Sequence, residues 1–227
     1  MKLQNETKVG QGVHGKWYGD ACGTAFGMEL IGERWSLLVI RELMLGARRF
    51  SDLRASLPGI SAKVLTERLA TLEEAGVLTR RKLPPPVSAQ VYELTEWGYA
   101  AEPLIQEIGR WAAMSSQHDP TLPLSPVSFM LSLRTMFDPA KAAGMTARIG
   151  FRFPDAAFIA ELSGGALPIT RGEPEGCDAV FIAPAAPALA VMFYVGMPAN
   201  DAGVTIDGDE AAAGRFMDLF ELPATMG

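Results

Sequence analysis

Two α+β domains in tandem are what this chain predicts: a helix-rich first half closed by a strand pair, then a sheet with helices packed on one face. Three observations carry that expectation. Between Cys22 and Thr95, helical periodicity gives way to two alternating runs joined by prolines. Residues 115–126 then shift to Pro, Ser, Asp and Thr, the composition of a boundary. Beyond them, short strand-like runs follow one another before helical patterns return. With 227 residues, 48% of them hydrophobic, the chain can bury two separate cores.

The elements follow in order. Residues 1–20 mix Gly, Lys and polar residues without periodicity and read as a mobile arm. Helix signals start near Thr24, where Phe26, Met28, Leu30 and Ile31 form an apolar face ahead of Gly32. A second helix spans about Arg34 to Leu45, with Trp35, Leu38, Val39, Glu42 and Leu43 at helical spacing and Gly46 as its stop. Ser51 is a candidate cap for a short helix that turns Leu53 and Leu57 inward and ends at Pro58-Gly59. Ser61 caps the next, from Ala62 to Ala75, whose buried stripe is Val64, Leu65, Leu69 and Leu72 and whose stop is Gly76.

Val77–Leu83 and Gln90–Thr95 alternate like paired strands, and the proline-rich stretch between them suits a stiff wing. Thr95 is placed to cap one long helix, Glu96 to Met114. After the boundary come a helix over Val127–Phe137 and strand runs at Met145–Phe153, Ala156–Leu162, Ala166–Arg171 and Ala179–Ala183. A helix over Ala185–Tyr194, a short run at Val204–Ile206 and a last amphipathic helix over Glu210–Phe220 complete the pattern. The expected organisation is an arm (1–20), a first domain (21–114), a linker (115–126) and a second domain (127–227).

Helix, short helix, tight turn, basic helix and strand pair make a winged helix-turn-helix, whose third helix fits the DNA major groove. Net charge is −6, which at first opposes DNA binding. The charge is divided unevenly, however. Residues 1–114 carry 14 Lys and Arg against 13 Asp and Glu, whereas residues 115–227 carry 6 against 13. Within Arg48–Lys82 there are 8 basic and 4 acidic residues. Phosphate affinity follows the local patch, because exposed charges beyond about 8 Å are screened.

The first half resembles the HxlR family of bacterial transcriptional regulators. The residues that carry the likeness are a cysteine before the first helix, GERWSLLVIREL, RRFSDLR, LPGISAKVLTERLATLEEAGVLTRR, the proline-rich wing and YELTEWG. The resemblance implies a winged helix-turn-helix homodimer on double-stranded DNA, with the first and last helices of the domain forming the dimer contact. Repression is the expected mode, since a bound dimer occludes a promoter.

Both readings nominate the same DNA-contacting residues. Amides at the helix start opened by Ser61 suit a phosphate. Lys63, Thr66 and Arg68 are placed to reach the groove, and Arg is the usual partner of guanine. Arg48, Arg49 and Ser51 are expected to position the neighbouring backbone; Arg80, Arg81, Lys82 and Gln90 flank the wing. Each such charge, taken singly, also suits a solvated helix surface. Cys22 matches the position of a redox- or electrophile-sensing cysteine in some relatives, although Gly23 replaces the proline that often follows it there. A small residue without chemistry is the plainer account of it.

Residues from about Met130 to Phe220 look like a sterol-carrier-protein-type domain, on FPDAAFIAELSGGALPITRGEPEGCDAVFIAPAAPALAVMFYVG and the closing VTIDGDEAAAGRFMDLF. The resemblance implies a hydrophobic tunnel and a small hydrophobic effector. Candidate lining residues are Phe129, Leu133, Met136, Phe151, Phe158, Phe181, Met192, Phe193 and Phe216, soft side chains that adapt to varied ligands and equally make ordinary cores.

Other function classes find less support. Cys22, Cys177, His14 and His118 match no metal-ligand spacing, and no cofactor motif is present. Ser163–Gly165 lacks the context of a nucleotide loop. No acid, base and nucleophile set marks an enzyme. The apolar run around Trp35–Leu45 contains Arg41 and Glu42 and is too short to span a bilayer. The first 20 residues lack a secretory core, so the cytoplasm is the expected location. Two alternatives stay open: a hydrophobic-ligand carrier whose winged half serves protein association, and a thiol-responsive regulator acting through Cys22.

Overall fold

A computed structural model describes residues 18–84, 88–119 and 122–226. The expected N-terminal arm therefore lies outside the described residues up to position 17, as do the wing tip at 85–87 and part of the linker at 120–121. Two compact units emerge, one formed by residues up to 99 apart from 44–46, the other by 44–46 and residues from 100 onward.

The first unit runs α1 (Gly23–Ile31), α2 (Ser36–Leu43), α3 (Phe50–Ser56), α4 (Ala62–Glu74), β1 (Leu78–Lys82), β2 (Gln90–Leu94) and α5 (Glu96–Tyr99). Its core is aliphatic: Val39, Ile40, Leu43, Leu53, Leu57, Leu65, Leu69 and Leu72 are all essentially inaccessible. The periodic leucines of α4 thus face inward as the sequence expects. Antiparallel β1 and β2 pair from Leu78 with Leu94 to Lys82 with Gln90. Arg48 adds a bridge on the other edge of β2, exchanging both backbone hydrogen bonds with Tyr92 at 2.9 and 2.8 Å.

Two expectations are corrected here. Helix α3 starts at Phe50 with Arg49 in the capping position, so Ser51 is not the cap. The Asp52 carboxylate takes that role from inside the helix, accepting from the Arg49 amide and the Ser51 hydroxyl. Nor is 96–114 one helix. Thr95 does accept the Gly98 amide, at 3.1 Å, while its hydroxyl donates to the Gly76 carbonyl at 2.8 Å. The helix stops at Tyr99, however, and resumes as α6 (Glu102–Ala113), because Pro103 lacks an amide and its ring would strike the carbonyl four residues back. Gly98 is dictated by close approach: a Cβ there would lie 2.1 Å from the Val77 carbonyl oxygen.

In the second unit α6 is followed by α7 (Pro126–Met136), β3 (Ala147–Arg152), β4 (Ala157–Leu162), β5 (Ile169–Arg171), β6 (Ala179–Ile182), α8 (Ala186–Val195), α9 (Ala199–Ala202), β7 (Thr205–Gly208) and α10 (Glu210–Met217). The sheet order is β5-β4-β3-β6-β7, antiparallel except for β3 and β6, which run parallel. Phe151 of β3 and Phe181 of β6 stack at 5.4 Å on one face. Helices α7, α8 and α10 bring Phe129, Phe193 and Phe216 onto that same cluster. On the other face Gly150 lies under Pro174, with 2.3 Å between the proline and the position a Cβ would take. This is the α+β layering expected of the second half.

Candidate nucleic-acid interface

Helix α4 owes its start to Ser61, whose hydroxyl accepts the Val64 amide at 3.2 Å. That leaves other first-turn amides at an exposed helix N-terminus, where the aligned peptide dipoles favour an anion. With Leu65, Leu69 and Leu72 turned inward, the opposite face presents Lys63, Thr66, Glu67 and Ala70. The Lys63 side chain is 86% exposed and only 4.0 Å from Glu67, a loose i,i+4 pair that leaves its ammonium available. Thr66 donates to the Ala62 carbonyl at 2.9 Å, which fixes its rotamer and keeps its oxygen able to accept.

Arg68 is a different case. Its side chain is 16% exposed, its guanidinium lies 3.4 Å from the Glu33 carboxylate, and its Nε is buried without a hydrogen-bond partner. It does not stand on the open face with Lys63 and Thr66. Arg48 is likewise committed, donating to the Ser56 hydroxyl at 3.1 Å and the Asp52 carbonyl. Arg49 and Ser51 are exposed at the start of α3. On the wing, Arg80 pairs with Glu73 at 2.8 Å and Arg81 with Glu93, while Gln90 reaches the Tyr92 hydroxyl. Lys82 is exposed and carries no ion pair among the described residues. Arg54, exposed on α3, escaped the sequence reading. The inward pattern of Leu53 and Leu57 already pointed it outward.

Cys22 is exposed at the N-cap of α1. The backbone N–H of Ala25, then the N–H and hydroxyl of Thr24, hold its thiol below the ordinary value by stabilising the thiolate. Cys177 moves the other way, burial pushing its thiol up.

The candidate effector-lining residues are all buried. Phe129, Phe151, Phe181, Phe193 and Phe216 come together, joined by Phe220 at 5.0 Å from Phe216. Leu133, Met136 and Met192 are buried in the same unit. Phe158 packs edge-on to Phe153 and under the Arg171 guanidinium. Sequence reasoning passed over Tyr194, whose hydroxyl meets that of Ser132 at 2.7 Å; burial holds this phenol well above its usual range. Among the described residues no group of three or more His, Cys, Asp or Glu side chains is arranged to hold a metal ion. Nor is any helix there long and apolar enough to cross a membrane.

Comparison with known proteins bears on the first half of the chain. A family model described as HxlR-like helix-turn-helix matches residues 30–120. Over 85 residues the chain is 39% identical to an uncharacterized HTH-type transcriptional regulator of Bacillus subtilis, YvaP, covering 37% of this chain and 79% of that protein. It is 41% identical over 83 residues to the HTH-type transcriptional regulator YodB of the same organism, covering 37% and 74%. The solved reduced form of YodB aligns at 35% identity over 44% of this chain and 100% of that one, with a TM-score of 0.40. Its relatives are HTH-type transcriptional regulators, and on the extent of the YvaP and YodB matches the chain belongs to the HxlR-like helix-turn-helix family.

Proposed function

We propose that this protein is a cytoplasmic homodimeric transcriptional regulator, a repressor, that reads duplex DNA through α4. The observation that carries this reading is the Ser61-capped helix whose open face offers Lys63 and Thr66 beside an exposed N-terminus. Arg49, Arg54 and Lys82 supply further cations toward the backbone. In this reading the pairs Arg80–Glu73 and Arg81–Glu93 keep the wing rigid and open when a phosphate competes for the arginine. Residues 21–114 act as the DNA-binding and dimerisation part, residues 127–227 as the effector part. Dimer formation uses exposed apolar side chains, Met28 on α1 and, separately, Leu104, Ile108 and Trp111 on α6.

The second half serves as a sterol-carrier-like sensor for a small hydrophobic effector. Support for this comes from its strand-and-helix order and its Phe and Met content. Because the aromatic rings touch one another, an effector enters by parting them, and it shifts the regulator only through a difference in affinity between two dimer geometries.

The test is binding of the full chain to a duplex selected by it from a random-sequence pool, measured at several salt concentrations. Affinity that falls steeply with salt supports the reading. Absent or salt-insensitive binding refutes it.

A second trigger is favoured by one observation: the exposed Cys22 thiol with its lowered pKa. Oxidation or alkylation there would then release DNA, and Cys22→Ser would abolish that response while leaving basal binding intact. Survival of the oxidant response in Cys22→Ser excludes this trigger.

A further inference from the structure

The loop from Gly32 to Trp35 joins α1 to α2 and comes up against both the turn before α4 and the middle of α4. Trp35 has φ +80°, a left-handed backbone that a non-glycine residue occupies only when its surroundings hold it there. Two contacts do so. The indole edge approaches Gly59, in the turn that leads into α4, within 3.8 Å of where a Cβ would stand, and the Arg34 guanidinium lies over the ring at 5.4 Å. Its neighbour Glu33 meets Arg68 in the body of α4. One four-residue loop therefore grips the recognition helix at its approach and again two turns along it.

A base-reading arginine presents its guanidinium to the groove. Arg68 instead gives its guanidinium to Glu33 and buries its Nε. We infer that Glu33 and Arg68 are a positioning pair that sets the attitude of α4, so that duplex affinity depends on both although neither touches DNA. This rests on the DNA-binding reading above. The pair also links α1, which precedes the loop, to the helix that enters the groove.

Charge makes the inference testable by sign. Removing a carboxylate from a DNA-facing surface ordinarily tightens binding, because a repulsion from phosphate disappears. If Glu33 positions α4, Glu33→Gln does the reverse. The experiment measures binding of the full-length wild type, Glu33→Gln, Arg68→Met and the double variant to the duplex the wild type selects, across salt concentrations, with Lys63→Ala as reference. Glu33 is half exposed and Gln is its isostere, so that variant folds even where Arg68→Met fails; circular dichroism checks both.

The expected result is about tenfold weaker binding for Glu33→Gln with an unchanged salt slope, since no phosphate contact is lost. The double variant is no weaker than the worse single one, as for two residues acting as a unit. Tighter or unchanged binding by Glu33→Gln overturns the inference. So does a slope lost in Arg68→Met equal to that lost in Lys63→Ala, which would make Arg68 a phosphate contact. A wild type that selects no duplex refutes the DNA-binding reading itself, and the inference falls with it.

Discussion

Arg134 reaches Glu102 at 2.7 Å, and its second guanidinium nitrogen donates to the Ile169 carbonyl at 2.6 Å. A single side chain on α7 thereby ties α6 to β5, and Gln106 donates to the same Glu102 carboxylate at 3.0 Å. Helix α6 falls within the part of the chain matched by the family model, yet it packs with the second unit.

Arg134→Met leaves a half-buried carboxylate and a strand carbonyl without that partner. The expected loss is about 1–2 kcal/mol, between the small value of exposed pairs and the larger value of fully buried ones. Urea unfolding followed by tryptophan fluorescence measures it, and a midpoint identical to the wild type would contradict the structural role of the pair.

At Gly98 no side chain fits. Alanine there would drive a Cβ into the Val77 carbonyl, and backbone yields less readily than a flexible side chain. Gly98→Ala is expected to destabilise by about 1–3 kcal/mol, lowering the melting temperature. The position is not in the left-handed region, so crowding alone produces the effect.

Lys63→Ala removes an exposed ammonium with little structural consequence. It is expected to weaken all duplexes alike and reduce the salt slope by about 1, whereas Ser61→Ala costs about 1 kcal/mol of folding stability through the lost cap. Titrations at several salt concentrations, set beside thermal melts, separate the two effects.

Alkylation by iodoacetamide, followed by mass spectrometry, distinguishes the thiols. Cys22 reacts with a midpoint below the ordinary thiol value and Cys177 above it, so at neutral pH Cys22 is modified first. Since the folded-state pKa of Cys22 is depressed, its small contribution to stability is complete above the unfolded-state value and disappears as pH falls through the folded-state one. Faster labelling of Cys177 would invert the assignment.

Much of the first unit was legible from local signals. Ser61, Gly76 and the leucines of α4 announce that helix because capping, termination and 3.6-residue periodicity are properties of the segment itself. Where local signals competed, reading failed. Ser51 resembled a cap, but Asp52 reaches back from the third helical position and begins the helix earlier. Pro103 broke a pattern whose apolar spacing alone suggested continuity. Tertiary facts were less visible still. The basic spacing of α4 put Arg68 with Lys63, and only the packed loop brings Glu33 to it. In the second unit the strands could be found, but the parallel partnership of β3 and β6 has no signature in either strand.

That partnership orders events during synthesis. Strand β3 cannot acquire its neighbour β6 until residues 179–182 have left the ribosome, and the two antiparallel strands between them must already have been made. The helix-turn-helix segment is complete long before, and during synthesis domains generally fold as units from the N-terminal side. A nascent chain thus completes its first unit while the remainder is still unpaired, and a truncation inside β6 would leave that unit trailing a sticky, unfinished sheet.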